Sequence, residues 1–375
     1  MVAGDDTPAA QPISHLEKTA PPLLTFAPFS TSAYGDQGSQ HNRCRSSYME
    51  PADGLFVHEQ LHVPEIQMRL VTLRPRKHDN GSDEIQVTIA RHDRTRHPKY
   101  LALSYVWGAP TPLFTIHVNG RSFGVRENLF RFLEMYMGQI EDEVDIWIDQ
   151  ICIDQTNDSE RNQQVGLMGK IFKGAEEVIA WLGPSNDGSG RTLRAFRGSD
   201  KEFNVYHGRQ YTKRPGLNNL KLAVVRSKFR LQGRYFGRAL VTLMQRPYWT
   251  RLWICQEVIL ARKMTVFCGP HSCDIDDFVS AYLIASGKVH DALTESRTQF
   301  LFLGRANDRM AFYDAIRCFA HFDCQDPRDK VFGLAGLVVP TQIPRIDYAA
   351  SVPSVFAEAV LTMCIRPTGK GSGAK

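Results

Sequence analysis

The chain has 375 residues, 43% hydrophobic and 23% charged, with a formal net charge of +5. That composition excludes a wholly disordered or fibrous chain and gives enough length for one large domain or two. The mild basic balance demands no nucleic-acid partner, and eight scattered cysteines form no paired framework, which points to a reducing compartment.

Residues 1–50 are rich in Ser, Pro, Gly, Gln and Asn and are expected to form a disordered arm. The opening MVAGDDTPAAQP has no apolar core of a secretory signal, and no run approaches the roughly 18 apolar residues of a membrane helix. The expected location is therefore cytoplasmic. Ordered sequence begins near Leu55. IQMRLVTLRP (66–75) predicts a strand, KHDNGSDE (77–84) a turn, and EIQVTIARH (84–92) a half-buried strand by its alternation. YLALSYVWG (100–108) reads as a buried strand entering a loop through Gly108. Asn119-Gly120 between two alternating runs (115–125) is the sharpest hairpin signal in the chain.

Helical periodicity follows over 127–140, and VDIWIDQICI (144–153) predicts a second buried strand. Asn157 and Glu160 have the spacing of a helix N-cap and its partner. Val165, Met168, Ile171, Phe172 and Ala175 then form a helical stripe. EVIAWLG (177–183) closes a third buried strand. Strands alternate with helices from 100 to 183, which favours an α/β fold with a largely parallel sheet. The basic, weakly periodic stretch 184–245 reads as an insertion. RPYWTRLWICQEVILA (246–261) predicts a helix with Trp249, Trp253 and Glu257 on one face. MTVFCG (264–269) predicts a strand; 276–286 and 309–322 predict helices; DPRDKVFGLAGLV (326–338) joins a turn to an apolar helix. The closing GKGSGAK has no core-forming content.

Glu257 is the foremost candidate for chemistry, because an ionisable group on a buried aromatic face is costly unless paired or used. Its alternative reading is a buried carboxylate salt-bridged to Arg246, Arg251 or Arg161. Asp149 either lines a pocket, caps a turn or pairs with Arg161; Trp107 is either a core plug or a ligand contact. Cys318, His321 and Cys324 have metal-like spacing without a fourth ligand, so no metal site is expected. Lys170 and Lys173 fall on the polar face of the 158–174 helix.

Three blocks, LALSYVWG (101–108), WIDQICIDQTNDSERNQQVGLMGKIFKGAEEVIAWLG (147–183) and RPYWTRLWICQEVILA (246–261), resemble in order those of the fungal heterokaryon incompatibility (HET) domain. DPRDKVFGLAGL (326–337) resembles the block that commonly follows it. The resemblance runs from about Ile66 to Leu337, and HET domains are in turn distantly similar to TIR domains. It implies a TIR-like, flavodoxin-like mostly parallel sheet flanked by helices, with an added hairpin. The HET domain is expected over 55–270, with a core of about 100–262, the insertion at 184–245, and a C-terminal helical extension over 271–375. It implies programmed cell death and non-self recognition in a filamentous fungus. It implies Glu257 as the catalytic residue of an NAD glycohydrolase cleaving the nicotinamide–ribose bond, with Tyr105, Trp107, Gly108, Asp149 and Trp253 around NAD as substrate and no resident cofactor. The alternative from the same fold is a non-enzymatic module acting by self-association. The expected partners are a second copy or an incompatibility partner protein.

Overall fold

The computed structural model describes residues 54–76, 84–185, 190, 192–193, 238–279 and 309–364. The expected N-terminal arm, most of the 184–245 insertion, the helix beyond 279 and the Gly-rich tail lie outside the described residues.

Among the described residues nine strands form one sheet: β1 (Gln67–Leu73), β2 (Gln86–Asp93), β3 (Leu101–Tyr105), β4 (Leu113–Val118), β5 (Arg121–Arg126), β6 (Val144–Trp147), β7 (Glu177–Trp181), β8 (Met264–Cys268) and β9 (His271–Asp274), in the order β5-β4-β2-β1-β6-β3-β7-β8-β9. The block β6-β3-β7-β8 is parallel. Its central strands β3 and β7 pair from Leu101↔Glu177 to Tyr105↔Trp181 and are buried along almost their whole length. Such apolar runs belong to strands covered on both faces. The sheet as a whole is mixed where a mostly parallel one was expected. β1 lies antiparallel between β2 and β6, and the turns at Asn119-Gly120 and Gly269-Pro270 are too short for anything but antiparallel pairs β4–β5 and β8–β9. Asn119 and Gly120 both take positive φ, 50° and 76°, as a two-residue hairpin turn of matching twist requires. The Asn119 amide also exchanges hydrogen bonds with Ile89 of β2 (2.9 and 3.2 Å), tying the hairpin to the sheet.

Helices α1 (Glu127–Met137), α2 (Asp149–Cys152) and α3 (Asp158–Gly174) follow. The apolar run 144–153 divides between β6 and α2, with Ile148 as the joint, so the expected second strand stops at Trp147. On α3 the stripe Val165, Met168, Ile171 and Phe172 is buried, as is Ala175. Asn157 caps the helix by accepting from the Glu160 amide (3.1 Å). The Glu160 carboxylate turns elsewhere: it accepts from Asp154 N (2.8 Å) and pairs with the buried Arg69 at 2.5 and 3.0 Å. Arg69 also donates to the Cys152 carbonyl (3.0 Å), locking β1 to the α2–α3 junction.

The Trp-rich segment departs most from expectation. A 3-10 turn, Pro247–Thr250, is followed by an extended Arg251 and then by α4 (Ile254–Ile259), only six residues long. The cause is tertiary: Asp323 hydrogen-bonds this backbone on both sides, donating to Thr250 O (2.6 Å) and accepting from Leu252 N (2.8 Å). Those groups are then no longer available to a continuous helix. Trp249 and Glu257 therefore share no helical face. The C-terminal part contributes α5 (Phe312–Phe319), α6 (Asp329–Phe332) and α7 (Val352–Cys364). The apolar helix expected after the turn within 326–338 is instead one short helix, α6, followed by a 3-10 turn at Ala335–Leu337. Gly336 there packs on Gly169 of α3, where a Cβ on Gly169 would stand 2.6 Å from the Gly336 Cα. No helix among the described residues is long and apolar enough to cross a membrane.

Candidate functional site

From β3 the chain reaches β6 on one side, while β7 and β8 lie on the other. Ligands in open α/β sheets collect outside the carboxyl ends of the strands at such a reversal. Here that point is the space above β3 and β7. Gly108 (φ 76°) and Gly183 (φ 100°) take left-handed backbone where the two strands pass into loops. Asn128 staples the loops together, donating to Val106 O (2.6 Å) and accepting from the Trp181 indole (2.9 Å). Arg246 donates to Leu182 O (3.0 Å) and Pro184 O (2.9 Å).

Side chains alternate along a strand, so Ser104 and Tyr105 at the end of β3 face opposite sides of the sheet. On one side the Ser104 hydroxyl donates to Glu257 Oε2 and shares a 2.7 Å hydrogen bond with the Tyr248 hydroxyl. All three are buried, and Glu257 is only 3% exposed. Burial pushes the Glu257 carboxyl up to about 7. The Arg251 charge and the Ser104 bond act against that rise, while Asp149 adds to it. Arg251 spends its own Nη1 on the Tyr105 carbonyl. Burial raises the Tyr248 phenol as well, helped by the Glu257 charge.

On the other side Tyr105 Oη reaches Gln150 Oε1 at 3.3 Å. The Trp107 indole donates to Asp149 Oδ2 (2.7 Å), and Asp149 Oδ1 accepts from the Gln150 amide (2.7 Å). Burial raises the Asp149 carboxyl, opposed by Arg251 and by the Trp107 bond. Arg126 lies 4.8 Å over the Trp107 ring and donates to Gly108 O (2.9 Å). Arg161 is not the partner of Asp149; it pairs with Asp158 (2.8 Å).

The structure thus gathers Tyr105, Trp107, Gly108 and Asp149 at the carboxyl end of β3 and sets Glu257 against the opposite face of that strand. Trp253 stands apart from them. It caps α4 and donates to Asp329 Oδ2 (3.1 Å), whose Oδ1 accepts from Tyr348 (2.6 Å). Trp249 donates to Leu243 O (2.9 Å) and stacks on Phe278 at 5.5 Å. Ser104, Tyr248, Asn128 and Arg126 escaped sequence reasoning. Ser104 carried a signal, because a hydroxyl inside the apolar run LALSY must find a partner once buried. The others came from distant segments with nothing local to mark them. Among the described residues no three His, Cys, Asp or Glu side chains converge as a metal site.

A carboxyl that titrates near neutrality can hold a proton in one step and stabilise a cation in another. Arg251 links the two flanks: its charge acts on both Glu257 and Asp149, and its Nη1 donates to the Tyr105 carbonyl of β3.

Residues 100–257 match the family model described as heterokaryon incompatibility protein (HET). The matched span begins one residue before β3 and ends on Glu257, so it contains both flanks of the site. The chain is 28% identical over 270 residues to heterokaryon incompatibility protein 6, OR allele, of Neurospora crassa. That alignment covers 65% of this chain, which spans about 38% of the relative's length. No solved structure matches the chain. Over residues 100–257 this chain carries a heterokaryon incompatibility domain.

Proposed function

We propose that this chain acts in heterokaryon incompatibility in a filamentous fungus, and that it does so by cleaving NAD at the nicotinamide–ribose bond with Glu257. The observation that carries the reading is the buried Glu257 carboxyl, raised to about 7 and fastened by Ser104 to the end of β3. The parallel block runs β6-β3-β7-β8, which is 2-1-3-4 when its strands are numbered along the chain. That order supports the flavodoxin-like, TIR-like fold, whose ligand site is the β3/β7 reversal. The Neurospora relative's name supports the biological role.

Nicotinamide departs as a neutral base, so its departure needs no acid. Positive charge develops on the ribose, as in glycoside cleavage. Ionised Glu257 stabilises that charge or holds the ribose hydroxyls, and removal of such a contact costs about 3–4 kcal/mol of barrier. Water completes the exchange, giving ADP-ribose, nicotinamide and a proton. Arg251 keeps Glu257 more ionised than burial alone allows.

A second reading is signalling by self-association without chemistry. It is favoured by the 3% exposure of Glu257, which leaves a ribose no direct approach in the single chain. The two readings part on one experiment: purified chain at high concentration is incubated with NAD and nicotinamide is measured, beside Glu257→Gln. Release by the wild type that drops a hundredfold or more in the variant supports cleavage. Cell death that persists in the Glu257→Gln strain with NAD undiminished sinks it and leaves self-association.

A further inference from the structure

We propose that the cavity between α3, α4 and residues 309–343 binds a small anionic ligand with an aliphatic body, a carboxylate or a phosphate monoester. The cavity holds about 250 Å³, room for about eight groups of ~30 Å³, the share of a water in the liquid. Lys170, Lys173 and Arg309 line it, and no acidic residue does. Among the described residues neither lysine has a hydrogen bond or an ion pair. Arg309 gives one Nη1 to the Val338 carbonyl at 3.3 Å. Lys170 and Lys173 stand three apart on α3, where like charges repel. A bound anion relieves that repulsion.

The remaining wall is aliphatic: Ile259, Leu260, Met310 and Ile343. No aromatic ring lines the cavity, so nothing there stacks on a nucleobase, and an alkyl chain is the complement. A more open space of about 540 Å³ shares Lys170, Gly166, Ala335 and Ile343 with it. The anionic head has its exit to solvent through that space. Most of the apolar wall lies beyond the matched span 100–257, whereas Lys170 and Lys173 lie within it, so the cavity joins α3 of that span to the segments that follow it. Ile259 and Leu260 lie at the end of α4, two and three residues after Glu257. A ligand here touches the helix that carries the buried carboxyl. The proposal stands whether or not NAD is cleaved.

The test is calorimetric titration of the full chain with octanoate, octyl phosphate, octanol and inorganic phosphate. Saturable one-to-one binding of octanoate or octyl phosphate is expected, with octanol and inorganic phosphate at least tenfold weaker; the tighter amphiphile identifies the head group. Lys170→Met with Lys173→Met, both on the exposed face of α3, is expected to weaken binding at least tenfold. Gly166→Leu is expected to abolish it by filling the mouth, since a Cβ there meets only Ile346 Cδ1 at 3.4 Å. A thermal melt of each variant establishes that it is folded. Absence of saturable binding to either amphiphile, octanol binding as tightly as octanoate, or equal binding by the folded lysine variant overturns the proposal.

Discussion

Replacing Glu257 with Gln separates a strained buried carboxyl from a structural ion pair. In the folded chain the carboxyl titrates near 7 against an ordinary 4.5, because burial disfavours its charge. Below pH 4.5 it is protonated in both folded and unfolded chains and contributes no pH dependence. Between 4.5 and about 7 the unfolded chain has released the proton while the folded chain keeps it, so stability falls as pH rises. Above 7 the loss is complete. At about 1.4 kcal/mol for each pH unit, the gap amounts to roughly 3 kcal/mol. Gln keeps the shape and an oxygen for the Ser104 hydroxyl but has no proton to lose. Urea unfolding of both proteins, followed by tryptophan fluorescence, cancels the other titrating groups in the difference. The variant should gain about 2–3 kcal/mol on the wild type between pH 5 and pH 8. A constant difference refutes the reasoning. A wild type that gains on the variant as pH rises means that the carboxylate is ion-paired with Arg251 instead.

Two further outcomes follow from the packing. Arg69 and Glu160 form a buried two-point ion pair, 3% and 6% exposed, so Arg69→Met strands a buried carboxylate. Its cost should be about 3–5 kcal/mol in the same urea assay, with loss of folding at physiological temperature as its extreme. Gly169→Ala drives a Cβ to within 2.6 Å of the Gly336 Cα and should lower stability by about 1–3 kcal/mol. Gly166→Ala, one turn away, meets only a side-chain methyl at 3.4 Å and should be neutral or gain up to about 1 kcal/mol from helix propensity. Equal effects of the two glycine substitutions in thermal melts would show that the α3–Gly336 approach is not tight.

Much of the site was legible in the chain because local chemistry wrote it. The buried run LALSY, the turn glycine at 108, the N-cap Asn157 and the hairpin Asn119-Gly120 each act within a few residues, and each appears where its pattern predicts. Glu257 could be singled out for the same reason: a charge inside WICQEVILA conflicts with its neighbours. Periodicity misled where a distant segment competed for the backbone. Residues 246–261 have helical spacing, but Asp323 takes the hydrogen bonds at Thr250 and Leu252, and the helix shrinks to six residues. The face shared by Trp249, Trp253 and Glu257 dissolves with it.

The sequence by itself determined most of the strands, the Asn119-Gly120 turn and which carboxyl would be costly to bury, since spacing and side-chain type act locally; it did not mark β9 or the end of β6 at Trp147. Only the tertiary structure decided that β1 enters the sheet antiparallel beside β6, and that Ser104, itself bonded to Tyr248, holds Glu257 while Asp329 draws Trp253 away. Those contacts join residues up to 153 positions apart, and partners at that separation are chosen by packing and burial, which no local pattern encodes.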